Sequence, residues 1–102
     1  MLQKAIDEHK NGNFSKAERL YKSILKKSPK NKDANHNLGL IYIRFDREKE
    51  ALKHFKIAVE TDPDIEQFWL SYISALIKAG DTEKIIMVFQ KAEQRGFHSP
   101  QF

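Results

Sequence analysis

The 102-residue sequence has room for a single domain, and 40% hydrophobic with 31% charged residues and a net charge of +4 is the composition of a water-soluble, surface-rich chain. No apolar stretch approaches the ~20 residues that cross a bilayer, and residues 1–10 mix Gln, Lys, Asp, Glu and His instead of forming the apolar segment of an export signal. The absence of cysteine excludes disulfides, thiolate metal sites and cysteine nucleophiles, so the expected setting is the cytoplasm, with no membrane partner.

The pattern predicts six helices in chain order, over 2–11, 15–27, 33–45, 47–61, 65–79 and 82–95. Asn11-Gly12-Asn13 and Ala79-Gly80-Asp81 are turn sequences, because Gly accepts positive φ and Asn or Asp caps a following helix; Asp46 and Asp81 are the expected N-caps. Pro29 and Pro63 lack an amide hydrogen and push Ser28 and Asp62 out of helical geometry, which ends the second and fourth helices. No strand-like alternation appears. The expected fold class is therefore all-α.

The elements repeat with a period of 34 residues. Pro29 falls on Pro63. Ala17, Ala51 and Ile85 share a column, as do Tyr21, Phe55 and Phe89, then Ile24, Ala58 and Ala92, and the turn column Gly12, Asp46 and Gly80. Three helix-turn-helix units follow, at about 1–31, 32–65 and 66–99 with a tail over 96–102, each burying its apolar surface against its neighbours. Small residues such as Ala5, Gly39, Ala51 and Ala58 permit close helix approach, and Tyr21, Tyr42, Phe55, Trp69 and Phe89 fill the space between hairpins.

Leu38-Gly39, Tyr42, Ala51, Phe55 and Pro63 in the middle unit, Trp69 in the third, and Ala17, Tyr21 and Pro29 in the first make the chain resemble the tetratricopeptide repeat family. Asn35 departs from the family pattern by standing in its Trp slot, and the third unit is the most degenerate. The resemblance implies a short right-handed superhelical solenoid whose first helices line a concave, peptide-binding surface. The family's best-known groove grips C-terminal carboxylates with Lys, Asn and Arg; the corresponding positions here hold Leu2, Ile6, Asn37, Leu40, Gln67 and Ser71, so only Asn37 matches.

Helical spacing predicts the groove wall: Leu2, Ile6 and His9 on the first helix, His36, Leu40 and Ile43 on the third with Asn37 beside them, and Leu70, Ser74 and Ile77 on the fifth. Lys10, Arg44 and Lys78 at the helix ends give this apolar stripe a basic edge. Such a surface suits an amphipathic helix or extended apolar segment of a protein or peptide partner. Cover by the chain's own tail, by flanking sequence or by a second copy would satisfy it equally. Five consecutive apolar residues, Ile85 to Phe89, make the last helix a second exposed face, with Ile86, Met87, Val88 and Phe97 as the expected residues of a homo-oligomer or adjoining domain.

Charge is uneven. Lys16, Lys22, Lys26, Lys27, Lys30 and Lys32 crowd the first unit, where they read as a solvated face or as a surface for an acidic partner. Phe14 and Tyr21 nearby occupy apolar columns, which argues against nucleic acid. His9, His36, His54 and His98 lie apart with no metal-ligand spacing, Gly12, Gly39, Gly80 and Gly96 form no phosphate loop, and no Ser, His and Asp set converges. The expectation is a non-catalytic interaction module without cofactor or metal. The alternatives are an N-terminal recruitment module of a larger glycosyltransferase- or methyltransferase-type enzyme, and a self-assembling structural oligomer.

Overall fold

A computed structural model describes residues 1–97. Residues 98–102, with His98 and most of the predicted tail, lie outside the described residues. Among the described residues six helices follow one another: α1 (Leu2–Lys10), α2 (Phe14–Lys27), α3 (Lys32–Arg44), α4 (Glu48–Thr61), α5 (Glu66–Ala79) and α6 (Thr82–Gln94). Among the described residues there is no strand. Each helix packs on the next, and α3 also touches α5, so three hairpins stack in series.

One device turns the chain inside every hairpin. Gly12, Asp46 and Gly80 all have positive φ, at 82°, 60° and 76°. Directly after each, an amide reaches back five residues: Asn13 N–H to Glu8 O at 2.8 Å, Arg47 N–H to Tyr42 O at 2.8 Å, and Asp81 N–H to Leu76 O at 3.2 Å. These are Schellman closures, which satisfy carbonyls at the end of the first helix while starting the return. The expectation that Asp46 caps α4 is thereby corrected, because Asp46 supplies the left-handed turn and Arg47 holds the cap position without a side-chain capping bond to a helix amide. Asp81 does cap α6, accepting from Lys84 N–H at 3.2 Å, and Asn31 caps α3 through Ala34 N–H at 2.9 Å.

The interior is one continuous cluster running from Ala5 to Ala92. Tyr21 and Phe55, one repeat apart, are 0% and 1% exposed. Gly39 allows α3 to lie against the Phe55 ring, where a Cβ would stand 2.5 Å from Cε1. This contact fixes the angle of the middle hairpin and places Phe55 beneath the space between α3 and α5.

Candidate functional site

The space between α3 and α5 is open. A pocket of about 330 Å³ is walled by Leu40 and Ile43 from α3 and by Gln67, Leu70, Ser71, Ser74, Ala75 and Lys78 from α5, with Phe55 of α4 as floor. The α5 residues recur at intervals of three and four, which puts them on one face of the helix. Leu40 is 37% exposed although apolar, whereas Leu38, on the other side of the same helix, is 0% exposed. The pocket is lined mainly by aliphatic carbon, with its polar groups along one wall.

Five of the thirteen predicted groove residues meet there: Leu40, Ile43, Leu70, Ser74 and Lys78. The others do not. Leu2 and Ile6 are half-buried on α1, Lys10 is exposed, and none of them lines the pocket. His9 turns inward, its Nδ1 hydrogen-bonded to Tyr21 Oη at 3.3 Å and its ring edge-on to Phe14. Ile77 is 61% exposed but lies off the pocket wall, and Asn37 is half-buried away from it.

His36 is a correction. It is 7% exposed, its ring lies 4.7 Å from that of Phe68 and 5.6 Å from that of Phe55, and its Nε2 is hydrogen-bonded to Ser71 Oγ at 2.8 Å. It supports the pocket from behind, through Ser71. Burial pushes its pKa below the ordinary histidine value, against the pull of Asn37 and Asp33 on its own helix. Ser71 also accepts from Gln67 Nε2 at 3.3 Å, so the polar wall is internally bonded.

The expected basic edge is largely engaged. Lys78 Nζ lies 2.8 Å from Asp46 Oδ1 and 3.7 Å from Glu48, and the Asp46 hydrogen bond raises its pKa. Arg44 stacks on the Phe14 ring at 4.5 Å. At the far end of the stack, Ile86 and Met87, two of the four residues predicted for an end face, are each 55% exposed. Val88 and Phe97 are not part of it: Val88 is buried, and Phe97 is half-buried against the core.

The floor residue Phe55 and the wall residues Gln67, Ser71 and Ala75 are not among the predicted groove residues, although the family resemblance put Gln67 and Ser71 at its carboxylate-binding positions. Phe55 reads from sequence as core, which it is; only the gap between α3 and α5 brings its ring to the surface of a cavity. The signal for Ala75 is the α5 stripe Gln67, Ser71, Ser74 and Lys78, which runs one residue out of phase with Leu70 and Ile77. Among the described residues no three His, Asp or Glu side chains come together as a metal site, and no helix is long and apolar enough to cross a membrane.

A tetratricopeptide repeat model matches residues 8–70, which is more than half the sequence. The chain belongs to the tetratricopeptide repeat family. A PPR repeat model matches residues 68–97, the most degenerate tetratricopeptide unit. Among solved structures, the chain is similar to the Sgt2 TPR domain from Aspergillus fumigatus, with 19% identity and a TM-score of 0.79 over 97% of this chain and 67% of that one. It is similar to the first TPR of Spaghetti (RPAP3) bound to the HSP90 peptide SRMEEVD, with 15% identity and a TM-score of 0.82 over 97% and 79%. It is also similar to MamA, with 25% identity and a TM-score of 0.77 over 86% of this chain and 52% of that one. No curated protein sequence matches it. These likenesses place the tetratricopeptide fold across nearly the whole chain.

Proposed function

We propose that the chain is a non-catalytic peptide-docking module that receives an apolar side chain of a protein partner between α3 and α5. The observation that carries this reading is the pocket of about 330 Å³ whose walls, Leu40, Ile43 and Leu70, stand over the Phe55 ring. A repeat structure in the same fold is bound to a peptide, SRMEEVD. That peptide is acidic, and the wall here offers it only Lys78, which Asp46 and Glu48 already hold. An aliphatic or aromatic anchor therefore fits better, with Gln67 and Ser74 orienting the peptide backbone at the rim. Burying one Leu-sized side chain there contributes roughly 1.5–3 kcal/mol before association costs.

Peptides selected from a random library on the wild-type chain test this reading. They should carry a recurrent apolar anchor and lose roughly tenfold or more in affinity on Leu40→Glu and on Ser74→Arg, while helicity is unchanged. Equal binding to both variants would place the peptides elsewhere and end the reading. Loss of helicity in Leu40→Glu would do the same, by showing that Leu40 belongs to the core.

A further inference from the structure

A second recess lies on the opposite side of α3, where Leu38 faces away from Leu40. It runs along the seam between α2 and α4 as two hollows in series. The first, about 390 Å³, is lined by Lys22, Leu25 and Lys26 of α2, Leu38 of α3 and His54 of α4. The second, about 510 Å³, is lined one turn further on by Pro29 and Lys30 and by Ile57, Glu60 and Thr61 of α4. The floor is aliphatic, and Lys22, Lys26 and Lys30 step along one edge every four residues.

The repeat supplies an internal control. In the next seam, between α4 and α6, Pro63 takes the place of Pro29 and the equivalent hollow is lined by Glu60, Lys91 and Arg95 among others. There Asp64 stands where the first seam has Lys30, Arg95 stands where it has Thr61, and the two close across the seam at 3.6 Å. In the first seam the charges meet only beyond the residues that line the hollows, Glu18 with Arg47 at 3.8 Å at one end and Lys32 with Asp62 at 2.6 Å at the other. Lys22 is held by Glu18 at 2.9 Å, but among the described residues neither Lys26 nor Lys30 has a carboxylate within 4.0 Å. Glu60, the one carboxylate among the described residues lining either hollow, likewise has no cation in that range. The position that an ion pair bridges in one seam, Asp64 with Arg95, thus holds Lys30 and Thr61 in the other, where, among the described residues, Lys26 and Lys30 stay unpaired along the rim.

We propose that the α2–α4 seam is a second docking surface, which takes an acidic protein segment whose apolar side chains sit over Leu25, Leu38 and Ile57 and whose carboxylates meet Lys26 and Lys30. An aliphatic floor with a cationic rim matches an amphipathic helical peptide with apolar side chains on one face and acidic ones along its edge. A nucleic-acid strand would use stacking rings, and neither hollow is lined by Phe, Tyr or Trp.

The test is fluorescence anisotropy with the full chain and a labelled peptide of about fourteen residues that places Leu and Glu at helical spacing. The wild type binds this probe, with affinity falling about tenfold or more between ~0.05 M and ~0.5 M salt. Lys26→Glu/Lys30→Glu, or Lys26→Gln/Lys30→Gln should the reversal disturb folding, weakens it by about tenfold, and Leu40→Glu leaves it unchanged, which separates this seam from the α3–α5 pocket. Equal binding of a probe with Gln in place of Glu would overturn the proposal. So would unchanged affinity in the lysine variants, loss in Leu40→Glu, or tighter binding of oligothymidylate or phosphatidylserine vesicles than of the peptide.

Discussion

Asn35 and Trp69, one repeat apart, make the same bond. Each donates a side-chain N–H to the carbonyl of the proline six residues before it, Asn35 Nδ2 to Pro29 O at 3.0 Å and Trp69 Nε1 to Pro63 O at 2.7 Å. The bond ties the turn between hairpins to the first helix of the next hairpin. Asn35 goes further, donating to Asn31 O at 2.9 Å and accepting from His54 Nδ1 at 2.9 Å, which puts the proton of neutral His54 on Nδ1.

Asn35 is fully buried, so its removal strands several polar groups at once. Asn35→Ala should lower stability by roughly 2–3 kcal/mol in urea unfolding, the cost of leaving buried partners unsatisfied. Trp69→Phe keeps a ring and loses one bond, and should cost roughly 0.5–1.5 kcal/mol from that bond. An Asn35→Ala effect smaller than that of Trp69→Phe would contradict the shared role.

Gly39→Ala tests the contact that seats α3 on Phe55. Helix propensity alone favours Ala by roughly 0.8–1 kcal/mol. The new Cβ would lie 2.5 Å from Phe55 Cε1, however, and the ring is 1% exposed, with His36 on one side. Overpacking of this kind costs typically 1–3 kcal/mol, so the net effect is destabilising or at best neutral. A clear gain in melting temperature would show that the ring has room to move.

The repeat columns made the hairpins legible because each column answers one geometric demand: a left-handed residue at Gly12, Asp46 and Gly80, a large ring at Tyr21 and Phe55, a helix stop at Pro29 and Pro63. Asp46 was misread as a cap because Asp serves both as N-cap and as left-handed turn residue, and neighbouring sequence does not distinguish the two. Asn35 looked like a departure because the family pattern records bulk, while the structure conserves the donor. The groove was half legible. Leu40, Ile43, Leu70 and Ser74 follow from helix phase, but whether His36 points into the groove or behind it depends on how closely α5 approaches α3, which only packing decides. Ile85 to Phe89 read as a uniform apolar run, yet the helix divides it into buried Val88 and exposed Ile86 and Met87.

Asp46 provides a backbone test. Its φ of 60° costs an L-residue roughly 1–2 kcal/mol, less for Asp than for most because its short polar side chain bonds locally. The Lys78 pair offsets little, since the Asp46 side chain is 79% exposed. Asp46→Ala should therefore lower stability by about 1 kcal/mol, and Asp46→Gly should equal or exceed the wild type. The reverse order in thermal melts would assign the stabilisation to the ion pair instead.

Among the described residues, three histidines set the acid response. His9, His36 and His54 all have pKa values below 6.5, in each case first because burial disfavours the charged ring. Arg44 adds to the effect at His9; at His54, Lys22 and Lys53 add to it while Glu50 opposes it. Because the folded state holds these rings neutral, their contribution is present in full above the unfolded value of 6.5 and is lost as the pH falls from there through each folded pKa. Glu18 and Asp62 are also lowered, but from 4.5 and 3.8, so their loss comes at more acid pH and leaves the higher window to the histidines. Urea midpoints should thus fall between about pH 7.5 and pH 5. His36→Gln should flatten that fall, because Gln can still bond Ser71 but takes up no proton. Ring-proton NMR provides the direct check: a His36 titration midpoint at or above 6.5 would mean that the proton is accommodated in the folded state, and the predicted loss of stability would then be absent.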